Sequence, residues 1–202
     1  MKIQESVRLE VESLYLLISN RKKCTNILLK GDDITKEDRM DFLISLHLVL
    51  ELGLNALMRK VIKSGKRHYT NYESIDNHID QVSYLDKLRI WLFSVSFKGV
   101  DADELGNNMD IIGNLINFSE ARNKLLHGHM IGRIEYASGE QPSRTTRAHD
   151  LTTEEFMNCQ IDLFIKIVKS MSFFIRGFEA TLTDEGRESF IKEYLDTSFL
   201  ST

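Results

Sequence analysis

The sequence predicts an all-α protein, an up-and-down bundle of five to six helices with a short loop or hairpin insertion after the fourth. The 202 residues include 1 proline and 11 glycines, whereas average usage predicts about ten prolines and fourteen glycines. Apolar residues recur three and four positions apart, as they do on one face of a helix. Neither internal repeats nor low-complexity segments divide the chain, so we expect one domain over 1–202.

Two long helices are predicted in the N-terminal third. The first covers about 4–29, and a turn follows at 31–33. Thr35 and Asp38 have the spacing of a helix start, and the second helix runs from there to about Lys63. Its middle, FLISLHLVLELGLNALM, is apolar nearly all round. We therefore expect this helix to be buried on several sides.

Two further helices and the insertion occupy the middle of the chain. The third helix is predicted over Ile75–Phe93, and the linker KGVDADELGNN separates it from the fourth, over 109–127. Gly128 is a favourable residue for closing a helix in the left-handed conformation. Residues 129–151 contain the single proline and a strand-like alternation, which predicts the loop or hairpin insertion.

A fifth helix and a short sixth complete the prediction. Thr152 and Glu155 form the capping box of the fifth helix, and the last helix starts near Thr183 within a 183–202 tail segment. The apolar stripe of the fifth helix is assigned to the core through Met157, Phe164, Ile167, Met171 and Phe174.

Composition bounds the function. Charged residues make up 28% and hydrophobic residues 42%, which excludes a wholly disordered chain and, without an apolar run of about 20 residues, a membrane-spanning one. We expect a cytoplasmic protein. A net charge of −4 argues against a surface built throughout for nucleic acid but leaves room for a local basic patch. Cys24 and Cys159 lack metal-ligand spacing, so we expect two reduced thiols, no metal site and no cofactor.

The stretch SEARNKLLHGH is the most informative one. Arg122 and His127 have the spacing Arg-x4-His, for which composition alone predicts about 0.36 chance matches, and Asn123 directly after the arginine lowers that number to about 0.02. Arg144 and His149 repeat the spacing inside the proline-containing loop, without the asparagine and without a helix.

A helical wheel places Arg122 within the apolar sector of the fourth helix, where a guanidinium needs a partner. One interpretation is structural: Arg122 bonds Glu51 or Glu120, and His127 caps the helix C-terminus. The other is functional, with Arg122 directed at an anion. Spacing alone favours neither.

A polar ladder on the second helix leaves two interpretations open as well. His47, Glu51 and Asn55 recur every four residues along a very apolar helix. They form either a water-exposed stripe or a satisfied core network, or else Glu51 or Asn55 lies in a second layer behind Arg122.

A helical chain with Arg-Asn-x3-His near the end of a late helix resembles the HEPN superfamily, whose signature is an arginine followed after four to six residues by a histidine. Many members are metal-independent endoribonucleases that act as toxins in toxin-antitoxin or phage-defence systems, and two copies of the motif typically meet in a dimer cleft. The resemblance implies that Arg122 binds the scissile phosphate, Asn123 orients the phosphate or the histidine, and His127 acts as acid or base.

The same resemblance implies a homodimer, an RNA substrate and a cognate antitoxin or defence partner. Glu51 and His129 are additional site candidates. Where some members carry a tyrosine two residues after the histidine that becomes modified, this chain has His129. The predicted RNA-binding side chains are basic or aromatic, as suits single-stranded RNA: Lys124, Arg133, Tyr136, Arg144 and Arg147.

Two rival functions remain at this point. The chain could be a HEPN-like dimeric module that has lost catalysis and binds a nucleotide, RNA or a partner protein, or a helical scaffold in which the motif is accidental.

Overall fold

The computed structural model describes residues 2–64, 82–83, 86–87, 118–119, 122, 152–176 and 184–201. These residues form four α-helices, named here α1 (Lys2–Leu28), α2 (Lys36–Ser64), α3 (Glu154–Arg176) and α4 (Asp184–Tyr194). Short 3₁₀ turns occupy Gly31–Asp33 and Ser198–Leu200. Within the described part of the chain there is no β-strand, so the all-α prediction is confirmed.

The start of α2 follows the predicted cap. Thr35 donates its backbone N–H to Asp38 Oδ2, and Asp38 returns its N–H to Thr35 Oγ1, both over 3.1 Å. Lys30 Nζ lies 2.6 Å from Asp38 Oδ1. The Lys30 hydrogen bond, with the backbone N–H of Thr35, lowers the pKa of Asp38 to about 2. The turn before the cap bends at Gly31, whose φ of 54° favours glycine.

The core forms between α1, α2 and α3. Helix α2 is buried on several sides, as predicted, because apolar residues occupy most of its circumference. The buried apolar residues of α2 are Phe42, Leu43, Leu46, Val49, Leu50, Leu54 and Met58. From α3, Met157, Phe164, Ile167 and Met171 join the same cluster, which confirms four of the five predicted core residues. The side chain of the fifth, Phe174, lies outside the described residues.

The C-terminal segment anchors α4 and its tail against α1 and α2. Arg21 Nη1 donates to the Glu193 carbonyl over 2.8 Å, and its guanidinium carbon lies 5.7 Å from the centre of the Phe199 ring. Thr25 Oγ1 donates to the Phe199 carbonyl over 3.1 Å. On α2, a Cβ added to Gly53 would lie 3.0 Å from the Tyr194 carbonyl oxygen. The sequence therefore needs glycine where α2 meets the end of α4.

The predicted start of α3 is wrong by one residue. The cap of α3 is made by Thr153, whose Oγ1 accepts the Phe156 N–H over 3.1 Å, one residue after the predicted Thr152. Both threonines suit the position, but the carbonyl of Thr152 is held by Arg39 Nη1 over 3.1 Å. This contact keeps Thr152 in the turn before the helix.

The predicted third helix is not continuous over its range. Val82 lies in a bend and Ser83 is not helical. Ser83 Oγ instead accepts the N–H of Asp86 over 3.2 Å, as a helix N-cap does. The apolar spacing across this point hid the cap, because Ser83 also fits an exposed helical position. The predicted insertion 129–151 lies outside the described residues.

No helix in the part of the chain that the structure describes is long and apolar enough to cross a membrane.

Candidate functional site

Helix α2 carries the polar ladder on a face that is largely closed to water. His47 is 2% exposed and Asn55 8% exposed, whereas the Glu51 side chain keeps 24% of its surface exposed. The interpretation of the ladder as a water-exposed stripe is therefore wrong. Because burial without a partner is costly for polar groups, the contacts of each ladder residue determine what the ladder can do.

Glu51 holds the arginine of the motif. Arg122 Nη2 donates to Glu51 Oε2 over 2.9 Å, and the Arg122 side chain is 29% exposed. This is the contact that both sequence interpretations named, the structural ion pair and the second layer behind Arg122. An ion pair that stays partly open to solvent contributes about 1 kcal/mol or less to folding stability. Its acceptor can therefore be replaced by another anion at modest cost.

His47 lies one helical turn before Glu51 and packs on an aromatic ring. The ring centroids of His47 and Phe118 are 3.8 Å apart, with 33° between the ring planes. Neither Nδ1 nor Nε2 of His47 has a hydrogen-bond partner among the described residues. Burial and then the positive charge of Arg122 lower the pKa of His47 to about 3. At neutral pH the ring is consequently neutral and carries one unused N–H donor and one unused acceptor.

The contacts of His47 with Phe118 and of Glu51 with Arg122 follow the same four-residue spacing on both sides. Phe118 and Arg122 are both helical and four residues apart, and so are their partners His47 and Glu51. Residues four apart on a helix share one face, so Phe118 and Arg122 both lie along the ladder. The Glu51–Arg122 pair and the His47–Phe118 contact therefore lie side by side along α2.

Asn55 continues the ladder with a second cation. Lys87 Nζ donates to Asn55 Oδ1 over 2.6 Å, and Lys87 is 0% exposed. Sequence reasoning missed this residue, because a lysine within an apolar helical stretch is ordinarily assigned to the solvated side. Phe118 was also missed, although its position four residues before Arg122 could have placed it on the same face.

The structure brings together Arg122 and Glu51 from the predicted site. The remaining predicted site residues lie outside the described residues and stay predictions: Asn123, Lys124, His127, His129, Arg133, Tyr136, Arg144 and Arg147.

The two cysteines are free and differ in exposure. Cys24 is buried and Cys159 is exposed. Burial raises the pKa of the Cys24 thiol to about 12, so this thiol stays protonated at neutral pH. Its Sγ lies 3.8 Å from the Phe42 carbonyl oxygen, and Cys24 behaves as a small core residue.

No protein-family model matches the chain, and no match was found among the curated proteins or among the solved structures.

Proposed function

We propose that this chain is a metal-independent endoribonuclease of the HEPN type that cleaves RNA by attack of the 2′-hydroxyl on the adjacent phosphorus. The observation that carries the proposal is the Glu51–Arg122 pair: the motif arginine is helical, partly exposed and oriented by a carboxylate over 2.9 Å. A guanidinium presented in this way has donors available for an incoming phosphate.

The reaction requires three groups. A base removes the proton of the 2′-hydroxyl, a cation stabilises the negative charge on the pentacoordinate phosphorus, and an acid protonates the leaving 5′-oxygen. Arg122 supplies the cation, because its planar donors match two phosphate oxygens. Histidine as a residue type suits proton transfer near neutral pH, so His127 supplies acid or base, while Asn123 orients the phosphate or the histidine. The predicted basic and aromatic side chains after the motif hold the flanking RNA.

A homodimer supplies the second titrating group. One histidine cannot easily act as base and acid in the same step, and a two-fold axis brings two copies of each residue into one cleft. In a cell, such an activity fits the toxin of a toxin-antitoxin or phage-defence system, with a cognate partner that restrains it.

A specific observation favours a second candidate function, a catalytically inactive dimeric module that binds a nucleotide, RNA or a partner protein. Arg122 already has an anionic partner in Glu51, so the pair can serve as a structural contact while the rest of the surface binds. The two functions differ in whether Arg122 and His127 are needed for RNA cleavage.

The first experiment compares growth after induced expression of the wild type, Arg122→Ala and His127→Ala. His149→Ala is the matched control, since it removes the histidine of the second Arg-x4-His spacing. We expect wild type and His149→Ala to stop growth and the two motif variants to lose this effect. Equal growth of all four strains would favour the inactive module.

The shared cleft has its own test by subunit exchange. If each site uses both copies of Arg122 and His127, a mixture of Arg122→Ala and His127→Ala proteins stays inactive, because every heterodimer lacks one group of each kind. If each site instead pairs Arg122 of one chain with His127 of the other, exchange restores up to about a quarter of wild-type activity. Rescue to that level would overturn the shared cleft, and full activity of a verified monomer would overturn both versions.

A further inference from the structure

His47 is the least satisfied polar side chain beside the motif arginine. It is 2% exposed, and both of its ring nitrogens lack hydrogen-bond partners in the described part of the chain. A buried polar group without partners is costly, and phenylalanine would pack against Phe118 without that cost. A histidine at this position is explained if its N–H gains a partner in another state of the site.

Glu51 is the neighbouring acceptor on the same helix. His47 and Glu51 lie four residues apart on α2, where side chains are neighbours. Helical side chains lean toward the helix N-terminus, so the Glu51 carboxylate leans toward the turn that carries His47. In the structure Arg122 Nη2 contacts one oxygen of this carboxylate, Oε2, over 2.9 Å. It can turn from one donor to the other by changing side-chain rotamers.

We propose that a phosphate group of RNA displaces the Glu51 carboxylate from Arg122, and that His47 then donates its ring N–H to the displaced carboxylate. The proposal rests on the proposed function, because it takes Arg122 as the phosphate-binding residue. No proton is transferred in the exchange, because only hydrogen-bond partners change. His47 is thus a positioning residue that stabilises the phosphate-bound state through Glu51.

The exchange explains why the site tolerates an ion pair that competes with its ligand. Without His47, phosphate binding would leave the partly buried Glu51 carboxylate without a donor, and the cost would appear as weaker binding. With His47, the carboxylate has a hydrogen bond in either state. The affinity for phosphate then depends on positions 47 and 51 together.

The test is a double-mutant cycle on RNA affinity, with wild type, His47→Phe, Glu51→Gln and the double variant. The probe is a 2′-O-methyl oligoribonucleotide, which lacks the attacking hydroxyl, and inorganic phosphate in a second series distinguishes an RNA site from a site for free phosphate. We expect Glu51→Gln to tighten RNA binding about fivefold and His47→Phe to weaken it about tenfold. In the Glu51→Gln background, His47→Phe should change the affinity less than about twofold.

Thermal melting separates this role from a structural one. Since His47→Phe removes two unpaired buried nitrogens and keeps the ring on Phe118, it should raise Tm while it weakens RNA binding. His149→Phe is the matched control and should leave RNA affinity unchanged. A fall in both Tm and affinity that is equal in the two Glu51 backgrounds would make His47 a purely structural residue and overturn the exchange.

A measurement on the wild-type chain keeps the proposal testable if a variant fails to fold. The ¹⁵N signals of the His47 ring should move when the oligoribonucleotide binds, and unchanged signals would overturn the exchange. Arg122→Ala distinguishes the two levels of failure. RNA affinity that does not depend on Arg122 counts against the proposed function, whereas Arg122-dependent affinity without coupling between positions 47 and 51 counts against the exchange alone.

Discussion

Two arginines lie at the two ends of one row of aromatic contacts, and their partners differ in kind. Arg21 contacts a backbone carbonyl of Glu193 and the face of the Phe199 ring. From Phe199 the row continues through Phe164 and Phe118, with ring centroids 5.9 and 6.3 Å apart, to His47. Beside His47, Arg122 contacts the side-chain carboxylate of Glu51.

The difference bears on which of the two arginines can change its partner. A backbone carbonyl cannot turn away from Arg21 without unwinding the end of α4, so this arginine fixes the C-terminal segment. Burial lowers the pKa of Arg21, against the charges of Asp196 and Glu193. The Glu51 carboxylate, by contrast, is a partly exposed side chain, and our proposal is that Arg122 exchanges this partner for phosphate while the fold stays intact.

The largest effect should come from removing Arg122. We expect Arg122→Ala to lower the rate of RNA cleavage by at least about a thousandfold, as loss of a phosphate-binding arginine does in other phosphoryl-transfer sites. Its free energy of unfolding should fall by about 1 kcal/mol or less. Cleavage of a labelled RNA and urea unfolding of the same preparation measure the two quantities.

Arg21→Ala should show the reverse pattern. We expect its free energy of unfolding to fall by about 2 kcal/mol, because the hydrogen bond to Glu193 and the contact with Phe199 are lost, while the cleavage rate of the folded protein stays at the wild-type value. Arg21→Met, which retains much of the apolar stem, should recover part of that loss. Unchanged stability and reduced cleavage in Arg21→Ala would contradict the purely structural role of Arg21.

Acid should lower the free energy of unfolding through protonation of His47, which lies beside Arg122. The pKa of His47 is about 3 in the folded protein, against 6.5 for an exposed histidine. Between these values the unfolded chain binds a proton that the folded chain does not, so the free energy of unfolding decreases as pH falls from about 6.5 toward 3. We expect His47→Phe to remove this contribution. Identical pH dependence of unfolding in wild type and His47→Phe would contradict the burial of an unpaired ring.

Gly53→Ala should give the smallest effect and act only on the C-terminal segment. Its Cβ would lie 3.0 Å from the Tyr194 carbonyl oxygen, and the cost of overpacking exceeds the gain in helix propensity. We expect Tm to fall by about 2 to 4 °C, with cleavage at lower temperature unchanged. A rise in Tm would show that α2 and the end of α4 do not approach as closely as the structure has them.

The helices that a local signal defines could be predicted from the sequence. The Thr35–Asp38 cap and the burial of α2 follow from residue spacing, because both depend on neighbours within one or two turns. For Arg122, its apolar surroundings predict the need for a partner, and Glu51 is one of the two acids that the sequence offers. The choice between Glu51 and Glu120 depends on how segments 71 residues apart pack together, which the sequence does not indicate.

Contacts between the N-terminal and C-terminal segments have no recognisable pattern in the sequence. Arg21 and Glu193 are 172 residues apart, and nothing in either neighbourhood indicates the other. Lys87 was missed for a related reason, since its burial depends on Asn55, 32 residues away. The cap of α3 was misplaced by one residue because adjacent threonines are equivalent until the contact of Arg39 with Thr152 is known.

The rate of RNA cleavage in excess EDTA tests the central claim most directly. Purified wild-type chain should cleave RNA at an unchanged rate after chelation and leave 2′,3′-cyclic phosphate and 5′-hydroxyl ends, because attack by the 2′-hydroxyl uses Arg122 and histidines in place of a metal ion. Arg122→Ala should be inactive under the same conditions. Loss of wild-type cleavage in EDTA with recovery in Mg²⁺ or Mn²⁺, or cleavage by Arg122→Ala at the wild-type rate, would contradict the account.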